Sequence, residues 1–183
     1  MRALHRLWSY LKVFAKSKRN RMDLYAWLVR RPQVLIATGG YEVSLLFSNR
    51  LDPHYKELAL LKSAGMVSCE FCLDIGSALA RTAGISEQAL RDLPVYAESD
   101  VYTDLEKLVL SFAEAMTATP AVGDDLTRIR EGLLDHFTKG QVAELAAEIA
   151  WENQRARLNQ ALGVRPTGMS DGAACALPER RVS

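Results

Sequence analysis

Cys69 and Cys72, set three residues apart, are the first residues in this chain whose type and spacing can do chemistry. A C-x-x-C pair is close enough to form a disulfide. At the start of a helix its thiols also face the positive end of the dipole, which lowers thiol pKa and favours the nucleophilic thiolate. Zinc would need four ligands, from a second such pair or from closely spaced histidines. The remaining candidates, His5, His54, His136 and Cys175, are scattered singly, so no metal site is expected. A thioredoxin-type pair follows a strand in a βαβ unit, whereas helical patterns lie on both sides of this one. No glycine-rich phosphate loop follows a strand, so no nucleotide site is expected, and no feature of the sequence supports a flavin or haem cofactor.

The elements that position this pair belong to a chain of 183 residues, 49% apolar, with a formal net charge of +1. That length supports one core and one domain with an appendage, and the composition excludes wholesale disorder or a disulfide-stapled miniature. The even charge balance argues against a nucleic-acid partner, yet the charge is unevenly spread. Residues 1–31 hold nine of the 23 Lys and Arg residues and a single acid, Asp23. Within that head Leu4, Leu7, Trp8, Leu11 and Phe14 recur at helical spacing with Arg6, Lys12 and Lys16 off the stripe, which describes a basic amphipathic helix. Such a helix packs on the acidic body of its own chain or of a neighbouring subunit, the favoured reading, or meets an anionic membrane surface. No apolar stretch is long enough to span a bilayer and the head lacks the pattern of a secretory signal, so with few cysteines the expected compartment is the cytoplasm.

No segment alternates with period two, so the fold class is all-α. Residues 1–31 read as the basic helical extension, 32–163 as the helical domain and 164–183, rich in Gly, Pro, Ala, Ser and Arg, as a flexible tail. Asp52-Pro53 starts a helix carrying Glu57 that Gly65 closes, while Gly39-Gly40 weakens the centre of the segment before it. The cysteine helix runs from Cys69 to the glycine cap at Gly84, and Ser86 caps a short helix that Pro94 ends. Thr103-x-x-Glu106 and Thr138-x-x-Gln141 both match the capping box, the second opening the longest helix, Lys139–Leu162, before Gly163 and Pro166.

A glutamate twelve residues before a C-x-x-C, followed by Ala80-Arg81-Thr82-Ala83-Gly84-Ile85-Ser86, resembles the carboxymuconolactone decarboxylase family, in its alkylhydroperoxidase D-like (AhpD-like) branch. The closing stretch from Gly140-Gln141 to Leu162-Gly163 is similar as well, so the resemblance covers about Asp52 to Gly163. It implies an all-helical subunit of a homo-oligomer that acts as a peroxidase or disulfide reductase. Carried over residue by residue, Cys72 is the thiolate that attacks a hydroperoxide, Cys69 the resolving thiol and Glu57 the base that accepts the Cys72 proton through a water. An external dithiol or protein reductant then reopens the disulfide. By itself Glu57 reads as a surface carboxylate, solvated or salt-bridged.

The chain departs from the family pattern where the peroxidase members carry histidines: Phe71 precedes the second cysteine and Gly76 follows it by one turn. Gly76 offers space but no proton carrier. Asp74 lies about 200° around the helix from Cys72 and cannot replace an imidazole, and Ser77 is a poor base. His54, one turn before Glu57, is the substitute expected to share its face and join the relay. His136 has no evident partner, and Cys175 is either inert or able to form an alternative disulfide. Two further readings stand beside the peroxidase: a lactone decarboxylase-like enzyme, which needs no cysteine pair, and a non-catalytic scaffold binding a small molecule or partner.

Overall fold

The computed structural model describes residues 2–118 and 123–179. The helices are α1 (Arg2–Ala15), α2 (Asp23–Leu28), α3 (Pro32–Phe47), α4 (Pro53–Val67), α5 (Glu70–Thr82), α6 (Glu87–Asp92), α7 (Asp104–Thr117), α8 (Gly123–Leu134) and α9 (Lys139–Ala161), with one 3₁₀ turn at Leu93–Val95. Among the described residues there is no strand, and no helix is long and apolar enough to cross a membrane.

The expected caps hold. The Asp52 side chain accepts the His54 N–H, Ser86 accepts that of Ala89, and both capping boxes, Thr103 with Glu106 and Thr138 with Gln141, are reciprocal. Each satisfies donors that the first helical turn leaves unpaired. Two glycine sites behave differently from expectation. Gly39 and Gly40 interrupt nothing, since α3 runs through them, and Gly65 does not end α4. The helix continues to Val67 and stops at Ser68, a left-handed residue with φ 60°. Gly65 instead receives the C-terminal segment: its carbonyl accepts the Glu179 N–H at 3.0 Å, and a Cβ there would stand 3.4 Å from the Leu177 carbonyl oxygen.

α4 is the central element, with every residue from Lys56 to Gly65 buried. It packs on α5, α7 and α9. One apolar cluster, including Leu58, Leu61, Leu73 and Leu90, joins α4 to α5 and α6; a second, including Ala59, Val109, Leu133 and Ile149, joins it to α7, α8 and α9. α4 nonetheless carries three buried charges, Lys56, Glu57 and Lys62, and buried charges persist only when paired. α9 pairs one of them, Lys56, through Glu144 and Glu148 on its inward face, while Lys62 meets Glu114 and Glu179 and Glu57 faces Arg6 from α1.

The basic head lies on the body of its own chain. α1 packs against α5 and α3, and Arg6, only 6% exposed, enters the acidic interior. At the other end the segment after α9 crosses α5. Buried Asp74 accepts the backbone N–H groups of Thr167, Gly168, Met169 and Ser170 at 2.7–3.2 Å, and Ser77 Oγ accepts that of Ala176 at 2.9 Å.

Candidate active site

Cys69 occupies the N-cap of α5, its sulfur accepting the Cys72 N–H at 3.3 Å. The turn places the two Cα atoms 5.3 Å apart, and a disulfide joins the side chains. Cys72 sits in the first turn, where unpaired N–H groups and the dipole favour a thiolate once the bond is reduced. Its sulfur also accepts Asn159 Nδ2–H from α9 at 3.6 Å, a second contact suited to negative sulfur. The C-x-x-C therefore folds as the sequence leads one to expect, and α9 adds a partner that local spacing does not reveal.

Cys72 lines a cavity of about 280 Å³ enclosed by α1, α2, α3, α4, α5 and α9. Cys69 does not line it. The walls are largely apolar, and the positions of the missing histidines, Phe71 and Gly76, both belong to them. Gly76 does not provide the empty space expected of it: a Cβ there would lie 2.8 Å from Leu61 Cδ2, and Leu61 is 1% exposed. The close packing of α4 on α5 takes up the room a larger side chain would need, so a histidine at 76 would force the core to move.

Glu57 lines the same cavity and is 3% exposed, not a surface carboxylate. Burial, opposed by the nearby Arg6 charge, pushes its carboxyl up to about 7. Arg6 from α1 places Nη2 3.8 Å from Glu57 Oε1 and Nη1 3.0 Å from Glu148 Oε1, while Nη1 also donates to the Leu45 carbonyl at 3.0 Å. Lys56 pairs with Glu144 and, at 3.4 Å, with Glu148. Arg155 pairs with Glu152 and, at 2.7 Å, with Glu42, whose other oxygen accepts the Trp151 indole N–H. The acids of α9 and the arginines that meet them were not expected as site residues. The i+4 repeat Glu144, Glu148, Glu152 was the available signal, but that spacing ordinarily marks a solvated face.

His54 is not brought to the cysteines. Its Nε2 lies 2.5 Å from Glu106 Oε1 and its Nδ1 3.2 Å from the Ala83 carbonyl, and it is absent from the cavity wall. Being one turn from Glu57 fixes a neighbouring position on α4, but α4 is surrounded, and its N-terminal end meets α7 at that point. Asp74 faces the C-terminal segment, as its angle from Cys72 requires. Cys175, half-buried, receives the Ser77 hydroxyl at 3.6 Å away from the cavity, and burial pushes its thiol up.

The model of the carboxymuconolactone decarboxylase family matches residues 32–115. The chain is 36% identical over 132 residues to the uncharacterized protein YnjA of Escherichia coli (strain K12), covering 72% of this chain and 68% of that protein. It is 33% identical over 113 residues to the uncharacterized protein YdfG of Bacillus subtilis (strain 168), 60% and 74% of the two. The fold is similar to that of a protein of unknown function from Agrobacterium tumefaciens, provisionally grouped with the antioxidant defence protein AhpD: TM-score 0.68, 24% identity, 76% of this chain and 94% of that one. It is also similar to the debrominase Bmp8, with TM-score 0.70, 21% identity and 87% of each chain. An alkylhydroperoxidase AhpD core from Ralstonia eutropha JMP134, an uncharacterized peroxidase-related protein, gives TM-score 0.66, 21% identity, and 79% and 76% coverage. With its all-helical architecture, its cysteine pair at a helix start and these relatives, the chain belongs to the carboxymuconolactone decarboxylase family and has the AhpD-like fold.

Proposed function

We propose that the protein is a thiol-dependent peroxidase or disulfide reductase. The observation that carries this reading is the asymmetry of the pair: Cys72 lines the cavity beside Glu57, while Cys69 stands outside it within bonding reach of Cys72. In the reduced state Glu57 accepts the Cys72 proton through a water. The thiolate attacks the terminal oxygen of a hydroperoxide, the O–O bond breaks, and an alcohol leaves with a proton as Cys72 becomes a sulfenic acid. Cys69 then attacks that sulfur, water departs, and the disulfide forms. An external dithiol returns two electrons and two protons, chemistry that suits the cytoplasm. A carboxyl near 7 suits the first step, being ionised in a large fraction of molecules at neutral pH yet basic enough to take a proton.

A stopped-flow thiol count tests this. Adding hydrogen peroxide or an organic hydroperoxide to the reduced protein should consume two thiols per subunit quickly, and Cys72→Ser should abolish that loss. Loss at the rate of a free thiol, indifferent to the substitution, would refute the reading.

A homo-oligomer is part of the same proposal. The exposed Ile36, Val43 and Phe47 share one side of α3 and leave an apolar face that a second subunit would cover. A second reading rests on the largely apolar wall around Cys72: the debrominase Bmp8, of similar fold, has been solved in complex with 2,3,4-tribromopyrrole. In that reading Cys72 would reduce an organic halide, and halide release from the reduced protein would be the sign of it.

A further inference from the structure

We infer that Arg6, delivered by the N-terminal helix, is a positioning residue of the cysteine site: it holds Glu57 ionised and oriented as the proton acceptor of Cys72. The inference rests on the proposed role of Glu57 and adds α1, which precedes the family-matched residues 32–115, to the chemical machinery.

A guanidinium in a protein interior is a costly group to bury, and this one is enclosed on every side. Its Nη1 is held by Glu148 and the Leu45 carbonyl, both at 3.0 Å, and its carbon lies 5.7 Å from the centre of the Tyr10 ring. These contacts direct Nη2 toward Glu57 Oε1 at 3.8 Å. Glu148 cannot be the sole reason for its presence, because Lys56 already approaches Glu148 at 3.4 Å. Glu57 has no comparable partner on its own helix.

The groups facing Glu57 are Arg6 and Tyr10 from α1 and Glu148, Glu152 and Arg155 from α9, while α3 contributes Glu42 to the same cavity. Burial, Glu148 and Glu152 favour the neutral acid; Arg6 and Arg155 favour the carboxylate. Arg155 is engaged by Glu152 and Glu42, which leaves Arg6 as the cation closest to Glu57 in these ion pairs. Without it the carboxyl would be protonated at neutral pH and unable to accept a proton. In this chain, where Phe71 and Gly76 stand at the family's histidine positions, an arginine brought in from the N-terminal helix sets the base.

The test is the pH dependence of Cys72 alkylation by iodoacetamide in the full-length reduced protein, followed by mass spectrometry, which reads thiolate formation without any peroxide. Wild type should show a component near pH 7 that Glu57→Gln removes. Arg6→Ala should move that component at least one unit to higher pH and slow alkylation at pH 7 about tenfold, with millimolar guanidinium moving it back. Arg6→Lys, which keeps the charge but not the three-way contact, should fall between. Should Arg6→Ala fail to fold, the Arg6→Lys profile decides, an unmoved midpoint counting against the inference. A component that Glu57→Gln removes but neither Arg6 variant shifts would overturn the role of Arg6 and leave Glu57 standing as the base. Identical profiles for wild type and Glu57→Gln would overturn both. Slow peroxide reaction with the expected alkylation profiles would reject the peroxidase alone.

Discussion

The two ends of the chain both reach α5, and they do so with different chemistry. The N-terminal helix contributes side chains, Arg6, Tyr10 and Phe14, to the charged interior and the cavity wall. The C-terminal segment contributes chiefly backbone, four N–H groups gathered together with the Thr167 hydroxyl by the single carboxylate of Asp74 on the side of α5 away from Cys72. A clamp built mainly on backbone fixes geometry. An ionic side chain fixes a protonation state as well. With the function proposed above, the difference implies that stability and chemistry are separable along one short helix.

Substitutions on the two sides should sharpen or break that division. The largest stability loss is expected from Asp74→Ala, about 3 kcal/mol or more, because several buried N–H groups lose their acceptor together. Urea unfolding would measure it, and the alkylation midpoint of Cys72 should stay in place; a shifted midpoint would mean that the clamp also governs the chemistry. Glu57 gives the next effect, of comparable size. Its carboxyl is raised from 4.5 to about 7 by burial against the help of Arg6. Folding therefore raises its affinity for a proton, and the stability linked to that proton is complete below pH 4.5 and lost as pH rises through 7. That amounts to about 3 kcal/mol. Glu57→Gln should flatten the decline in unfolding free energy across that range, while the proposed thiol chemistry, which would use the carboxylate, should run the opposite way with pH.

Gly76→Ala should cost about 2 kcal/mol, since the added methyl meets buried Leu61; thermal denaturation would show it, and a neutral result would mean that Leu61 yields freely. The smallest effect belongs to His54→Ala. With His54 engaged by Glu106 and Ala83, the rate of peroxide-driven thiol loss should change by less than twofold. A tenfold slowing would return His54 to the relay, despite its distance from the cavity wall.

Much of this was legible in the residues. Caps are local, so Asp52, Thr103 and Thr138 could be read directly, and the cysteine spacing defines its own turn. The resemblance supplied Glu57, whose burial no local pattern betrays. What escaped reading is long-range. Arg6 meets Glu148 across 142 residues, and periodicity places both on helices without saying that the helices touch. Gly76 looked like room for a ligand because sequence shows the missing side chain and not the neighbour that fills its place. Glu57 by itself reads as a surface carboxylate because, taken singly, charges usually are, and only the packed helices show it buried with Lys56, Lys62, Glu144, Glu148 and Glu152.

Cys69 is at once half of the disulfide and the cap of α5. Under the proposed cycle the reduced sulfur of Cys69 is a better hydrogen-bond acceptor than the disulfide sulfur, so opening and closing the pair would alter the grip on the Cys72 amide. Amide exchange at Cys72 thus becomes a clock hand for the oxidation state, slow when the pair is reduced and faster when it is closed.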